Sequence, residues 1–182
     1  MSSESQRTAL LVMTPPEADQ TLIAWRRRFH AEAVGRGLPA HLTVLYPFVP
    51  VAELTPGLEA ELRSLYASVP SFAYALTHVR SFPDCAWLEP EPSEPFRRLI
   101  ATTCARFPDY PPYGDRDFEP VPHCTVGKTG ERHLLVQILG TLERELAPRL
   151  PIHCRADAVS IFREGDDGCW VEHAAYPLGH AA

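Results

Sequence analysis

Apolar residues recur with two different periods along this chain, and the switches between them mark out its elements. Thr8 to Met13 is a short apolar run stopped by Pro15-Pro16, which predicts a strand. Over 17–36 the apolar positions Leu22, Ile23, Trp25, Phe29, Ala33 and Val34 keep helical spacing until Gly35 and Gly37, which predicts one long helix. A strand of alternating character follows and ends at Pro47 and Pro50. A helix over about 52–68 carries Leu58, Leu62 and Leu65. Phe72–Val79 and Ala86–Glu89 then read as two strands joined by a turn near Pro83-Asp84.

The second half repeats this order. A helix is expected over about 93–106, then a Pro-rich, aromatic loop over 107–122, then a second short alternating strand. Thr129-Gly130 precedes a helix to about 146. Ile152–Phe162 and Cys169–Tyr176 read as a hairpin around Glu164-Gly165-Asp166-Asp167-Gly168. Each half is therefore strand, helix, strand, helix, strand, a degenerate internal duplication. The expected fold is α+β and bilobed: duplicated lobes about a pseudo-two-fold, with antiparallel-rich sheets lining a central cleft and helices outside. No flexible linker interrupts the chain. Residues 1–182 are thus expected to form one domain, with 1–6 a disordered tail and the lobes intertwined about a boundary near 80–92.

The two alternating strands carry the same word. His41-Leu42-Thr43-Val44 and His123-Cys124-Thr125-Val126 both read H-x-T-V, 82 residues apart. With 8 His, 11 Thr and 12 Val in the chain, roughly 0.03 such words are expected by chance, so a pair is informative. Alternation places each His and its Thr on one face of a strand. Two such pairs facing each other at the lobe junction would offer two imidazoles for proton transfer and two hydroxyls for a phosphate. Nearby imidazoles repel when both are charged, which favours one neutral and one protonated ring.

His41-Leu42-Thr43-Val44-Leu45-Tyr46-Pro47-Phe48 and Pro122-His123-Cys124-Thr125-Val126 resemble the twin motifs of the 2H phosphoesterase superfamily. Within it the chain is most similar to the 2′-5′ RNA ligase-like branch, which includes RNA 2′,3′-cyclic phosphodiesterases. The resemblance implies metal- and ATP-independent hydrolysis of a 2′,3′-cyclic phosphate or related 2′-5′ phosphodiester. His41 and His123 would be the catalytic pair, and Thr43 and Thr125 the phosphate binders. It also implies a phosphate contact for a basic residue five positions after the second His, here Lys128. No cofactor and no metal is expected, and a monomer is expected. The alternatives are a non-catalytic nucleotide- or RNA-end-binding module and an ATP-independent 2′-5′ RNA ligase.

Charge narrows the partner. A net charge of −6 argues against gripping a long nucleic-acid backbone, while leaving a nucleotide or a short RNA end with a cyclic phosphate open. The 17 basic residues are 16 Arg and the single Lys128, which with 19 Pro points to a GC-rich, bacterial source. Five cysteines without a C-x-x-C spacing suit free thiols in a reducing cytoplasm. Cys124 should face the core, opposite to His123 and Thr125. The N-terminus lacks a signal-peptide pattern and no stretch of about 18 apolar residues exists, so no membrane association is expected.

The remaining motifs have plain readings. No H-x-x-x-H or thiol spacing suggests zinc. His30, His78, His133, His153, His173 and His180 read as structural or surface histidines, and Arg26-Arg27-Arg28 as a solvated helix face. Trp87 and Trp170 read as core. Tyr110, Tyr113 and Phe118, in the long loop before His123, either stack a base or pin the loop to the body.

Overall fold

Strands of the two halves are exchanged and joined edge to edge. The computed structural model describes residues 7–179; the tail expected over 1–6 and His180 lie outside them. The strands are β1 (Ala9–Met13), β2 (Leu42–Leu45), β3 (Phe72–Phe82), β4 (Cys85–Glu91), β5 (Cys124–Lys128), β6 (Ile152–Ala156), β7 (Ala158–Glu164) and β8 (Trp170–Pro177). The helices are α1 (Pro16–Phe29), α2 (Ala31–Gly35), α3 (Pro56–Ala67), α4 (Glu94–Arg106) and α5 (Arg132–Glu145). All eight strands form one curled sheet in the order β6-β3-β4-β5-β2-β1-β7-β8, with every neighbouring pair antiparallel. At its centre β2 and β5 are held by one register pair, Leu42↔Cys124. That thin seam divides the sheet into two four-stranded sections, each built from two strands of each half of the sequence.

Helices cover one face. α1 packs on β5 and β6, α4 on β2, α5 on β3, β4 and β5, and α3 on β8. The main core lies between, with Leu11, Leu22, Leu42, Leu45, Leu62, Leu76, Leu88 and Leu99 almost wholly enclosed. A second small cluster, Leu10, Val12, Phe162 and Trp170 with Leu38 and Tyr46 against it, sits on the opposite side of β1. The alternation of β1 feeds both clusters.

Three expected elements are divided. The helix predicted over 17–36 breaks at His30, whose φ of −144° and ψ of 41° leave the helical region. The bend lets Leu38 N–H donate to the carbonyl of Ala33 at 3.0 Å and turns the chain into β2. The helix predicted over 52–68 is a 3₁₀ turn (Val51–Glu53) followed by α3, which Thr55 caps by accepting from Leu58 N–H at 3.3 Å. The strand predicted over 152–162 is β6 and β7, parted at Asp157, because β6 pairs with β3 and β7 with β1. β6 keeps apolar period two, but the phase slips at Ala158-Val159 where β7 begins; the slip marks a break without naming the new partner strand.

Gly127 shows how closely the helices approach. A Cβ there would lie 3.0 Å from both Ile138 on α5 and Phe29 on α1. Gly127→Val is expected to cost about 1–3 kcal/mol of stability through overpacking. Chemical unfolding measures it; an unchanged midpoint would contradict the close approach.

Candidate active site

The two H-x-T-V words meet at the seam. His41 immediately precedes β2 and His123 immediately precedes β5, with Leu42 and Cys124 paired between them. Antiparallel continuation of that register sets His41 across from Thr125 and Thr43 across from His123. Leu42, Val44, Cys124 and Val126 are buried in the core, while His41, Thr43, His123 and Thr125 are partly exposed on the other face. Four polar side chains are thus gathered on one face of two adjoining strands, and Cys124 points away from them.

Each imidazole is oriented by the same backbone contact. His41 Nδ1 lies 2.9 Å from the carbonyl of Pro39, and His123 Nδ1 lies 2.7 Å from the carbonyl of Val121. A carbonyl only accepts, so both Nδ1 atoms carry the proton and donate. Both Nε2 atoms are left for a substrate or water. Burial pushes the His41 pKa down to about 4, and the charges of Arg26, His123 and His30 push the same way, against its bond to Pro39. Burial also lowers His123, with Lys128 adding to the effect and the Val121 bond and Asp84 opposing it. The neighbouring charges therefore differ: cations act on His41, whereas Asp84 and Lys128 act on His123 in opposite directions.

A bulge determines where Lys128 points. Strict alternation from His123 would send Lys128 to the helix-covered face. β5 pairs Thr125 with Trp87 but Gly127 with Ala86, so one extra residue, Val126, is accommodated on β5. Gly127 consequently faces α1 and α5, and Lys128, paired with Cys85, shares the face of Trp87 and Thr125. Its Nζ lies 3.5 Å from Asp84 Oδ2, both groups being exposed.

Aromatic rings flank the four residues. On one side Phe82 stacks on Trp87, centroids 4.8 Å apart, and both meet the His123 ring edge-on at 5.1 and 5.8 Å. On the other, Tyr46 touches Trp170 and Tyr113, and Tyr113 touches Phe118. Trp170 belongs to the small cluster rather than the main core, and Trp87 belongs to neither cluster. Both are buried, so the core reading is corrected only in location: they back the face that carries the histidines. The Trp87 indole Nε1 is buried without a partner among the described residues.

The loop before His123 holds one 3₁₀ turn, Pro112–Gly114, and Tyr113 adopts φ 54° there. Tyr113 N–H donates to the carbonyl of Tyr46 at 2.7 Å, which ties the loop to the end of β2. Burial raises the Tyr113 pKa, and Thr43, within reach of its hydroxyl, eases that rise. The ring is nonetheless 49% exposed, as is Phe118 at 43%. Tyr110 does something else: it packs on Phe48 and its hydroxyl donates to Glu53 at 2.9 Å, pinning the loop.

One further sequence reading needs correction. Arg26-Arg27-Arg28 is not a uniform solvated face: Arg27 and Arg28 are exposed, but Arg26 is 1% exposed, turned inward by the helical rotation. Metal-ligand spacing along the chain also gave no sign of His78, Glu89 and Glu91, whose ligand atoms lie within 4.8 Å of one another across β3 and β4. Pairing, not sequence spacing, assembles them, and Arg80 Nε already donates to Glu89 at 2.9 Å. Two surface cavities, about 540 and 300 Å³, share Arg106 and contain none of the H-x-T-V side chains. No helix of the described residues is long and apolar enough to cross a membrane.

Comparison with known proteins agrees with this fold. The 2′-5′ RNA ligase superfamily matches residues 14–168. Among solved structures, E. coli LigT complexed with 3′-AMP superposes with a TM-score of 0.62 at 14% identity, covering 94% of this chain and 98% of that one. A structure described as a phosphoesterase superposes at 0.62 and 16% identity, covering 97% and 100%. TT0787 of Thermus thermophilus superposes at 0.61 and 17% identity, covering 96% and 100%. No curated protein matches.

Proposed function

This chain belongs to the 2′-5′ RNA ligase superfamily, and from that premise we propose that it is a metal- and ATP-independent phosphodiesterase. Its substrate is a 2′,3′-cyclic phosphate, or a related 2′-5′ phosphodiester, on a nucleotide or short RNA end. One observation carries this reading: two imidazoles on one face, each with Nδ1–H committed to a backbone carbonyl, beside two threonine hydroxyls. Nucleotide substrates are supported by the ligands of LigT structures, which include 3′-AMP, NADP+ and ATP.

The chemistry follows from the charges. His41, lowered to about 4 by burial and by the Arg26 cation, is assigned as the neutral base; His123, also lowered by burial but with Asp84 and Lys128 acting in opposite directions, is assigned as the acid. His41 Nε2 takes a proton from water as the water oxygen bonds to phosphorus. The ring P–O bond breaks opposite, and His123 Nε2–H protonates the departing alkoxide. Thr43 and Thr125 hydroxyls donate to the nonbridging oxygens as charge builds on them. Exchange with solvent resets both rings. Run backwards with an RNA 5′-hydroxyl in place of water, the same groups would join ends. Incubating cyclic-phosphate-ended and 5′-hydroxyl RNAs together decides direction: opened phosphomonoester ends support the hydrolase, and joined product favours the ligase.

Lys128 contributes charge near the phosphate, at the exposed edge of the face. Lys128→Ala is expected to raise KM about three- to tenfold while changing kcat less, because an exposed cation acts mainly on binding. The effect should shrink at high salt. An unchanged KM at low salt removes Lys128 from the site.

A further inference from the structure

An ion pair between a buried guanidinium and a partly exposed carboxylate stands behind the peptide that His41 bonds to. Arg26, on α1, donates through one guanidinium nitrogen to Asp19 Oδ1 at 3.2 Å and through the other to the carbonyl of Leu38 at 2.8 Å. The same Asp19 Oδ1 accepts the N–H of Ala40 at 2.8 Å. The Ala40 nitrogen and the Pro39 carbonyl belong to one peptide group, and that carbonyl is the acceptor for His41 Nδ1–H at 2.9 Å. A trans peptide is planar, with N–H and C=O pointing in opposite directions. Holding its N–H on Asp19 therefore aims its C=O at the imidazole. A carboxylate on the N–H side also polarises the peptide and strengthens the oxygen as an acceptor.

We propose that Asp19 is a positioning residue for His41, acting through the Pro39–Ala40 peptide, with Arg26 as the counter-ion that holds both Asp19 and Leu38 in place. The arrangement does for His41 what a directly bonded carboxylate does for other catalytic histidines, at one peptide's remove. The cost of the device argues for a role beyond stability. A guanidinium 1% exposed is heavily desolvated, which an apolar side chain would avoid. Burial lowers the Arg26 pKa, opposed by the Cys124 thiol and by Asp19.

The second histidine supplies an internal contrast. His123 uses the Val121 carbonyl, whose peptide nitrogen belongs to Pro122 and has no hydrogen to hold. The proposed device thus serves one imidazole of the pair. The groups that act electrostatically on His41 are Arg26 and His30 from α1 and its end, and His123 across the seam; Cys124, on β5, lies against its backbone.

The inference rests on the catalytic reading for its consequence but not for its test. Imidazole ¹⁵N NMR reports the tautomer of each ring without any substrate. Wild-type His41 and His123 are expected as Nδ1–H. In Asp19→Ala, His41 should become a mixture of tautomers while His123 stays Nδ1–H. Asp19→Asn, which keeps the oxygen acceptor, should restore His41. On a cyclic nucleotide, Asp19→Ala should lower kcat about tenfold with KM within about twofold. A wild-type His41 in the Nε2–H form overturns the proposal, and needs no variant to fold. So does a folded Asp19→Ala whose His41 stays wholly Nδ1–H, or one in which both rings shift together. If no phosphodiester turns over, the catalytic reading fails while the NMR result still decides the role of Asp19.

Discussion

His41→Ala and His123→Ala are each expected to lower kcat by roughly 10²–10⁴-fold, with the fold retained. General acid–base transfer typically contributes that much, and each ring has a separate part in the step. Neither side chain is a main packing element: both are partly exposed, and the buried members of their strands are Leu42, Val44, Cys124 and Val126. The double variant should lose little more than the worse single one, because residues that act as one unit are not additive. Circular dichroism and an unfolding curve alongside the kinetics separate lost chemistry from lost structure. Either single variant within threefold of wild type would remove that histidine from the mechanism.

Activity should also fall steeply towards alkaline pH. Catalysis as proposed needs His41 neutral and His123 protonated. The His41 pKa is held at about 4 and that of His123 is lowered, so the productive state of the free enzyme lies on the acid side of the ordinary imidazole range. kcat/KM is expected to drop about tenfold for each pH unit above the His123 pKa, a loss near 100-fold two units above it. A bound anionic phosphate favours protonated imidazole, so the kcat profile should sit at higher pH than the kcat/KM profile. A kcat/KM that keeps rising to pH 9 would contradict the assignment of an imidazolium acid. Stability has its own pH limb. His30 and His41, both at about 4 when folded, bind protons more readily unfolded, so stability is full above about 6.5 and declines as pH falls towards 4. Activity loss at the acid end must therefore be read beside an unfolding measurement.

Legibility in the sequence follows the range of the interactions. The H-x-T-V words could be read because period two is local: four residues suffice to place His and Thr together and Cys124 away from them. The α+β class was legible from the same periodicities. Pairing was not. Apolar alternation over Ile152–Phe162 slips phase at Ala158-Val159, but a slip does not name the new partner, and the two halves belong to opposite ends of the sheet. The H-x-T-V register itself hangs on Leu42↔Cys124, a contact between residues far apart in sequence. Lys128 reaches the site face only because β5 accommodates Val126 in a bulge opposite Trp87 and Ala86. Arg26 was hidden by its neighbours: a run of three arginines resembles a solvated surface, and only the helical rotation carries the first of them inward. Trp25 one residue before it, on the buried stripe with Leu22, was the available sign.

The most direct measurement is turnover of a panel of 2′,3′-cyclic nucleotides and short cyclic-phosphate-ended RNAs in EDTA without ATP. Wild-type protein and the His41→Ala/His123→Ala double variant would be assayed side by side. The account predicts opening of the cyclic phosphate by wild type and none above background by the double variant. Equal turnover by both, or wild-type turnover that disappears in EDTA, would contradict the metal-free two-histidine mechanism.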